Sequence, residues 1–121
     1  MIAAGITIEP TGVTTERVWV MTSFHSYTRL NFKVTNGTRR DFLLRFNWDE
    51  ILATDDAAHR YDSPSGYPGG SGTEQRLLGP GESYADARFV IGSLAPAAKS
   101  LTLRFGTVSG APGPALTYAL P

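Results

Sequence analysis

The segment Leu77-Leu78-Gly79-Pro80-Gly81-Glu82 ends one apolar run and is followed at once by an alternating one, Ser83 to Ile91. Gly and Pro cannot continue a sheet, so a strand stops here. Beyond the stop, Ala85, Ala87, Phe89 and Ile91 fall on one face of a strand and Asp86 and Arg88 on the other. A strand that is apolar on one face has to bury it against a second layer, which makes this the entry to a two-layer β fold. A second segment, Leu30-Asn31-Phe32-Lys33-Val34-Thr35-Asn36-Gly37-Thr38, alternates in the same way and closes on Asn36-Gly37, the strongest short hairpin signal.

Period two places further strands near Ile6 to Pro10, Val13 to Met21, Leu30 to Thr35, Phe42 to Ala53, Ala58 to Tyr61, Glu74 to Leu78, Tyr84 to Ile91, Leu101 to Gly106 and Leu116 to Leu120, with turn signals between nearly all of them. Phe42, Leu44, Phe46, Trp48 and Leu52 share one parity and make the largest inward face. Glu50 falls on the same parity, so a bulge is expected between Trp48 and Leu52. No helix is expected: Asp55 to Ala58 is too short, and Ser93 to Ser100 carries Pro96. The reading is an all-β, immunoglobulin-like sandwich of seven to nine mainly antiparallel strands, forming a single domain over residues 1–121. Its core is expected to hold Phe32, Val34, Leu44, Phe46, Trp48, Phe89, Leu101, Leu103 and Phe105.

A domain of this size buries about two thirds of the surface its unfolded chain exposes, and needs neither metal nor disulfide to fold. The absence of cysteine therefore leaves the compartment open. Eleven basic and eleven acidic residues cancel, and the arginines are scattered, so nucleic acid is not the expected partner. No apolar run approaches the roughly 20 residues of a membrane span, so no direct membrane insertion is expected. Met1-Ile2-Ala3-Ala4-Gly5 lacks the basic start and the length of a signal peptide, and the chain reads as a mature form or an excised domain.

Asp49, Glu50, Asp55, Asp56 and Asp62 put five carboxylates within fourteen positions, and calcium takes six to eight oxygens from such clusters. Their spacing is not that of an EF-hand loop. Asp55-Asp56 suits a hairpin cap, and Asp49 and Glu50 are expected on opposite faces of a strand, so no metal site is assigned; Asp55, Asp56 and Asp62 are the residues to watch. Ser71, within Gly69-Gly70-Ser71-Gly72-Thr73, misses the nucleophile elbow by one residue and follows no strand. The Gly-rich stretch Ser63 to Gly72 opens no helix and reads as a surface loop, not a phosphate cradle. His25 and His59 have no second ligand at zinc spacing and read as solvent-facing or turn residues. Asn36-Gly37-Thr38 fits a glycosylation sequon, but a two-residue hairpin demands Asn-Gly regardless. Trp48 is in phase with the core; Trp19 is out of phase with Val18 and Val20 and is read as exposed. Trp19, Tyr27 and Tyr67 are the aromatics marked for binding.

From Leu30 to Gly106 the punctuation resembles bacterial immunoglobulin-like domains of the DUF4352 type. The pieces are Val34-Thr35-Asn36, Trp48, Asp55-Asp56, Leu78-Gly79-Pro80-Gly81-Glu82 and Leu101-Thr102-Leu103-Arg104-Phe105. The Asn-bearing turn and later Pro-Gly-Glu strand are also similar to the intracellular proteinase inhibitors of the BsuPI type. These resemblances imply a non-enzymatic domain, attached to the cell surface or to a larger protein, with no catalytic motif and no cofactor. The functional expectation is an interaction or structural module whose partner is another protein or copies of itself. The alternatives are a proteinase inhibitor presenting the Ser63 to Gly72 loop, and a carbohydrate- or calcium-binding module. Ile2, Ile6 and Ile8 make an apolar start with no charge before Glu9. They are expected to pair with a sheet edge, either the chain's own or that of a neighbouring copy.

Overall fold

In the computed structural model, residues 3–62, 72–92 and 94–120 are described. They form an all-β sandwich of eleven strands and one short 3₁₀ turn, two strands more than the upper bound read from the sequence. The strands are β1 (Ile6–Val20), β2 (Ser23–Asn36), β3 (Phe42–Asn47), β4 (Leu52–Asp55), β5 (Arg60–Tyr61), β6 (Thr73–Leu78), β7 (Ser83–Ile91), β8 (Ser100–Arg104), β9 (Thr107–Val108), β10 (Ala111–Pro112) and β11 (Ala115–Ala119). All pairings are antiparallel.

One layer is the sheet β1-β2-β7. The other is made of two sheets, β10-β9-β3-β6 and β11-β8-β4-β5, which share two runs of chain. Phe46 of β3 pairs with Val108 of β9, and Leu52 of β4 pairs with Arg104 of β8, so the same two runs hold both sheets in one bent layer. The bend lies at Trp48–Glu50, a 3₁₀ turn capped by Asn47, whose Oδ1 accepts from Asp49 N–H at 2.9 Å. The anomaly at Glu50 thus has a different cause from a simple bulge. The turn inverts the phase, so Ile51, Ala53 and Asp55 are buried where Leu52 was expected inward. Asp49 and Glu50 both stand exposed on this turn, not on opposite faces of a strand.

All nine residues expected in the core are buried in one cluster between the layers. At its centre Phe32, from the first layer, meets Phe105 edge-on at 5.2 Å, with Phe46 and Trp48 within 6.3 Å. Offset and edge-on packing of this kind suits aromatic quadrupoles.

Local chemistry explains several departures from simple alternation. The two expected N-terminal strands are one strand, β1, with a register shift between Pro10 and Gly12. A second shift, where Val34 pairs with Tyr84 but Phe32 with Ala87, moves Ala85 to the exposed side while Ala87, Phe89 and Ile91 stay buried. The Gly79-Pro80-Gly81-Glu82 stop is a β-turn closed by Glu82 N–H to Gly79 O at 3.0 Å, with Gly81 at φ +77°. β9 and β10, absent from the sequence reading, close through Ser109-Gly110, both at positive φ, as the tightest hairpins require.

Asn36-Gly37 is not a hairpin. β2 pairs with β1 and β7, and the chain after Asn36 crosses to the opposite layer to begin β3. Asn36 is 0% exposed. Its Nδ2 donates to the carbonyls of Arg40, Leu78 and Gly79 at 2.7, 2.9 and 3.1 Å, and its Oδ1 accepts from the Thr38 N–H and hydroxyl. It ties the end of β2 to the end of β6. The same burial removes Nδ2 from reach as a glycosylation acceptor in the folded chain.

Candidate interaction site

The β1–β2 hairpin is longer than the sandwich that carries it. β2 pairs with β1 from Ser23 to Asn36, whereas β7 covers β2 only from Thr28 to Thr35. Residues 23–27 of β2 and their partners on β1 therefore run on as a two-stranded arm, projecting about 17 Å at 3.4 Å per residue. An isolated pair of strands is marginal in water, so an arm of this kind owes its order to its root in the sheet.

The arm continues the inward face of the first layer beyond the end of β7, where its side chains become exposed. Along that face Val13 opposes Leu30, Thr15 opposes Thr28, Arg17 opposes Ser26 and Trp19 opposes Phe24. The face is apolar in the core, then polar, then apolar again at the tip. Met21 is 89% exposed, Trp19 59% and Phe24 57%. Trp19 and Phe24 meet edge-on at 4.7 Å, and the Arg17 guanidinium lies 4.8 Å over the Phe24 ring. Cross-strand aromatic and cation–π contacts hold the tip in shape without hiding it from water. Met21 also takes φ +58°, a left-handed conformation that costs a side chain such as Met free energy and suits Gly or Asn. Trp19, Met21 and Phe24 thus form an exposed apolar cluster at the end of the hairpin.

Of the interaction residues read from the sequence, Trp19 stands in this exposed cluster. Tyr27 does not: it is buried at the root of the arm, beside the point where β7 ends, with its ring stacked 6.4 Å from His25. Ile6 and Ile8 are buried in the chain's own core, because β1 pairs with β2 throughout and turns them inward; they are not free to face another copy. Ile2 and Tyr67 lie outside the described residues, as does all of the Ser63 to Gly72 loop except Gly72. Phe24, Met21 and Arg17 went unrecognised, because Met21-Thr22 is not a turn dipeptide. The available signal was the symmetry of apolar and β-branched residues on either side of it, from Val18-Trp19-Val20 outward to Phe24.

Asp55 and Asp56 are engaged in backbone hydrogen bonds. Asp55 Oδ1 accepts from the Ala57 and His59 N–H groups and Oδ2 from the Tyr61 hydroxyl, all within 2.9 Å. Burial opposes its charge, but these three donors outweigh burial and hold its pKa below the usual 3.8. Asp56 accepts from the Lys99 and Ser100 N–H groups, and these bonds likewise lower its pKa. Asp62 pairs with Arg60 at 3.2 Å. Asp55 thus caps the β4–β5 hairpin as expected, while Asp56 reaches across to the start of β8. Among the described residues no three His, Cys, Asp or Glu side chains come together as a metal site. Burial raises the pKa values of Tyr61 and Tyr118, whose hydroxyls bond Asp55 and the Asn31 carbonyl.

Shallow depressions also occur, one of about 420 Å³ on the outer face of the first sheet, bordered by Thr14, Arg29, Asn31, Asp86 and Arg88. Its lining is polar, unlike the largely apolar clefts that enclose small ligands. Among the described residues no helix is long and apolar enough to cross a membrane. No family model matches the chain, and no curated protein matches it significantly.

Proposed function

We propose that this chain is a non-enzymatic interaction module of a larger assembly or surface protein, and that the β1–β2 arm is its contact element. The observation that carries this reading is the projecting hairpin with Trp19, Met21 and Phe24 exposed at its end. Rigid β sandwiches carry their function on projecting loops and hairpins, and exposed aromatic residues beside Arg are typical anchors of protein contacts. β1, β2 and β7 make one layer and β3, β4, β8 and β11 belong to the other, a sandwich-like frame of the kind that carries contact elements at its ends. The titratable groups with displaced pKa values are engaged in turn and cross-strand hydrogen bonds, which favours contact over catalysis.

A photo-crosslinking amino acid placed at Trp19 or Phe24 in cells of the source organism tests the proposal. Discrete protein adducts are expected from both positions and not from the exposed control Thr117. No adduct, or the same adducts from Thr117, overturns it.

A further inference from the structure

The exposed large apolar side chains among the described residues fall into two groups: Trp19, Met21 and Phe24 on the arm, and Leu43 with Leu77 on the second layer. Leu43 and Leu77 are register partners on the outer face of β3 and β6, one row from Phe42 and Leu78. That row adjoins the Asn36 knot, where β2 ends against Leu78 and Gly79. The arm leaves from the other end of β2, beyond Thr28. The two apolar groups therefore lie at opposite poles of the molecule, separated along β2 by more than 25 Å at 3.4 Å per residue. Neither can cover the other within one copy.

Charged side chains flank both groups. Arg17 accompanies the arm tip, held over Phe24. At the Gly79 end of the leucine pair, Glu82 Oε1 accepts from Gly79 N–H at 2.8 Å, and Asp41 Oδ1 lies 3.7 Å from where a Cβ on Gly79 would stand. Arg45 flanks the pair at its other end. Asp41 and Glu82, in a region that also holds the exposed Arg39 and Arg40, are the carboxylates with which a cation brought in with the tip would pair, and Arg45 is the like charge at the other end.

Resting on the reading of the arm as the contact element, we infer that the chain associates with itself head to tail: Trp19, Met21 and Phe24 of one protomer seat on Leu43 and Leu77 of its partner. The two surfaces differ, so the contact is heterologous. Each dimer keeps one free arm and one free leucine pair, and association extends to a ring or a filament. Both patches are small, so the association is weak and depends on concentration.

Sedimentation velocity of the full chain, from micromolar to millimolar concentration, decides the matter with two double variants, W19S/F24S on the arm and L43T/L77T on the patch. Wild type is expected to grow beyond a dimer, each variant alone to stay monomeric, and an equal mixture of the two to stop at a dimer, because each supplies the surface the other lacks. Melting temperatures verify folding; should L43T/L77T unfold, Leu77→Gln alone takes its place, since Leu77 is exposed. Arg17→Glu is expected to weaken association several-fold.

A wild type monomeric throughout overturns the inference, as does an L43T/L77T variant that associates like wild type, which would mean an arm-to-arm contact. Flotation of a monomeric wild type with phosphatidylglycerol vesicles would identify a lipid surface instead and equally overturn it. A monomeric wild type whose Trp19 position still cross-links to another protein in cells would sink the self-pairing and leave the interaction-module reading standing.

Discussion

Asn36 shows how far one side chain can act beyond its own strand. It sits where the chain leaves the first layer, and it satisfies three carbonyls from two other segments together with the Thr38 N–H and hydroxyl. Replacing it with Ala leaves buried carbonyls without donors, each worth about 1–3 kcal/mol. Asn36→Ala is therefore expected to cost about 3 kcal/mol in urea denaturation. Asn36→Asp should cost at least as much, since a carboxylate facing three carbonyl oxygens donates nothing. Asp55 makes the opposite case, a carboxylate that only accepts. Its pKa is lowered in the folded state, so the stability it confers is present above the unfolded value and is lost as pH falls through the folded one. Acid titration below the ordinary value of 3.8 should destabilise the wild type more steeply than Asp55→Asn, which no longer titrates there. Equal slopes would show that the three donors around Asp55 contribute no linkage.

The arm is the element whose role is least explained by folding. Its tip residues bury nothing in the core, and Met21 holds a conformation that Asn adopts more readily. Met21→Asn is expected to raise the melting temperature by a few degrees, corresponding to about 0.5–1 kcal/mol, while weakening association. A fall in melting temperature with association intact would mean that Met21 supports the hairpin and not the contact. The 3₁₀ turn at Trp48–Glu50 is the other decisive element, since it lets one run of chain serve two sheets while Trp48 stays buried.

At the scale of the whole molecule, the two sheets of the second layer share strand runs and one core, so the domain should unfold in a single transition. Phe46→Ala or Trp48→Ala should each remove about 3–5 kcal/mol, a large share of the 5–15 kcal/mol of a small domain. Trp48, buried, and Trp19, exposed, offer separate optical probes. In a Trp48→Phe variant the remaining emission should be red-shifted and readily quenched by iodide in the folded state. A shielded Trp19 in the dilute monomer would contradict the exposed tip.

Alternation of apolar and polar residues determined the all-β class, most of the strands and the identity of the core, because a strand that buries one face repeats every two residues whatever it packs against. The Gly79-Pro80-Gly81-Glu82 turn and the Asp55 cap were equally legible, since both depend on residues within a few positions of each other. Only the tertiary structure decided that Asn36 joins two layers, that Trp48–Glu50 bends one run into two sheets, and that Ile6 and Ile8 are buried while Phe24 and Met21 are exposed. Exposure depends on where neighbouring strands end. Trp19 and Phe24 stand uncovered on a face that is buried farther down, in the part of the hairpin that β7 does not reach, and no local pattern in either strand records where its neighbour ends.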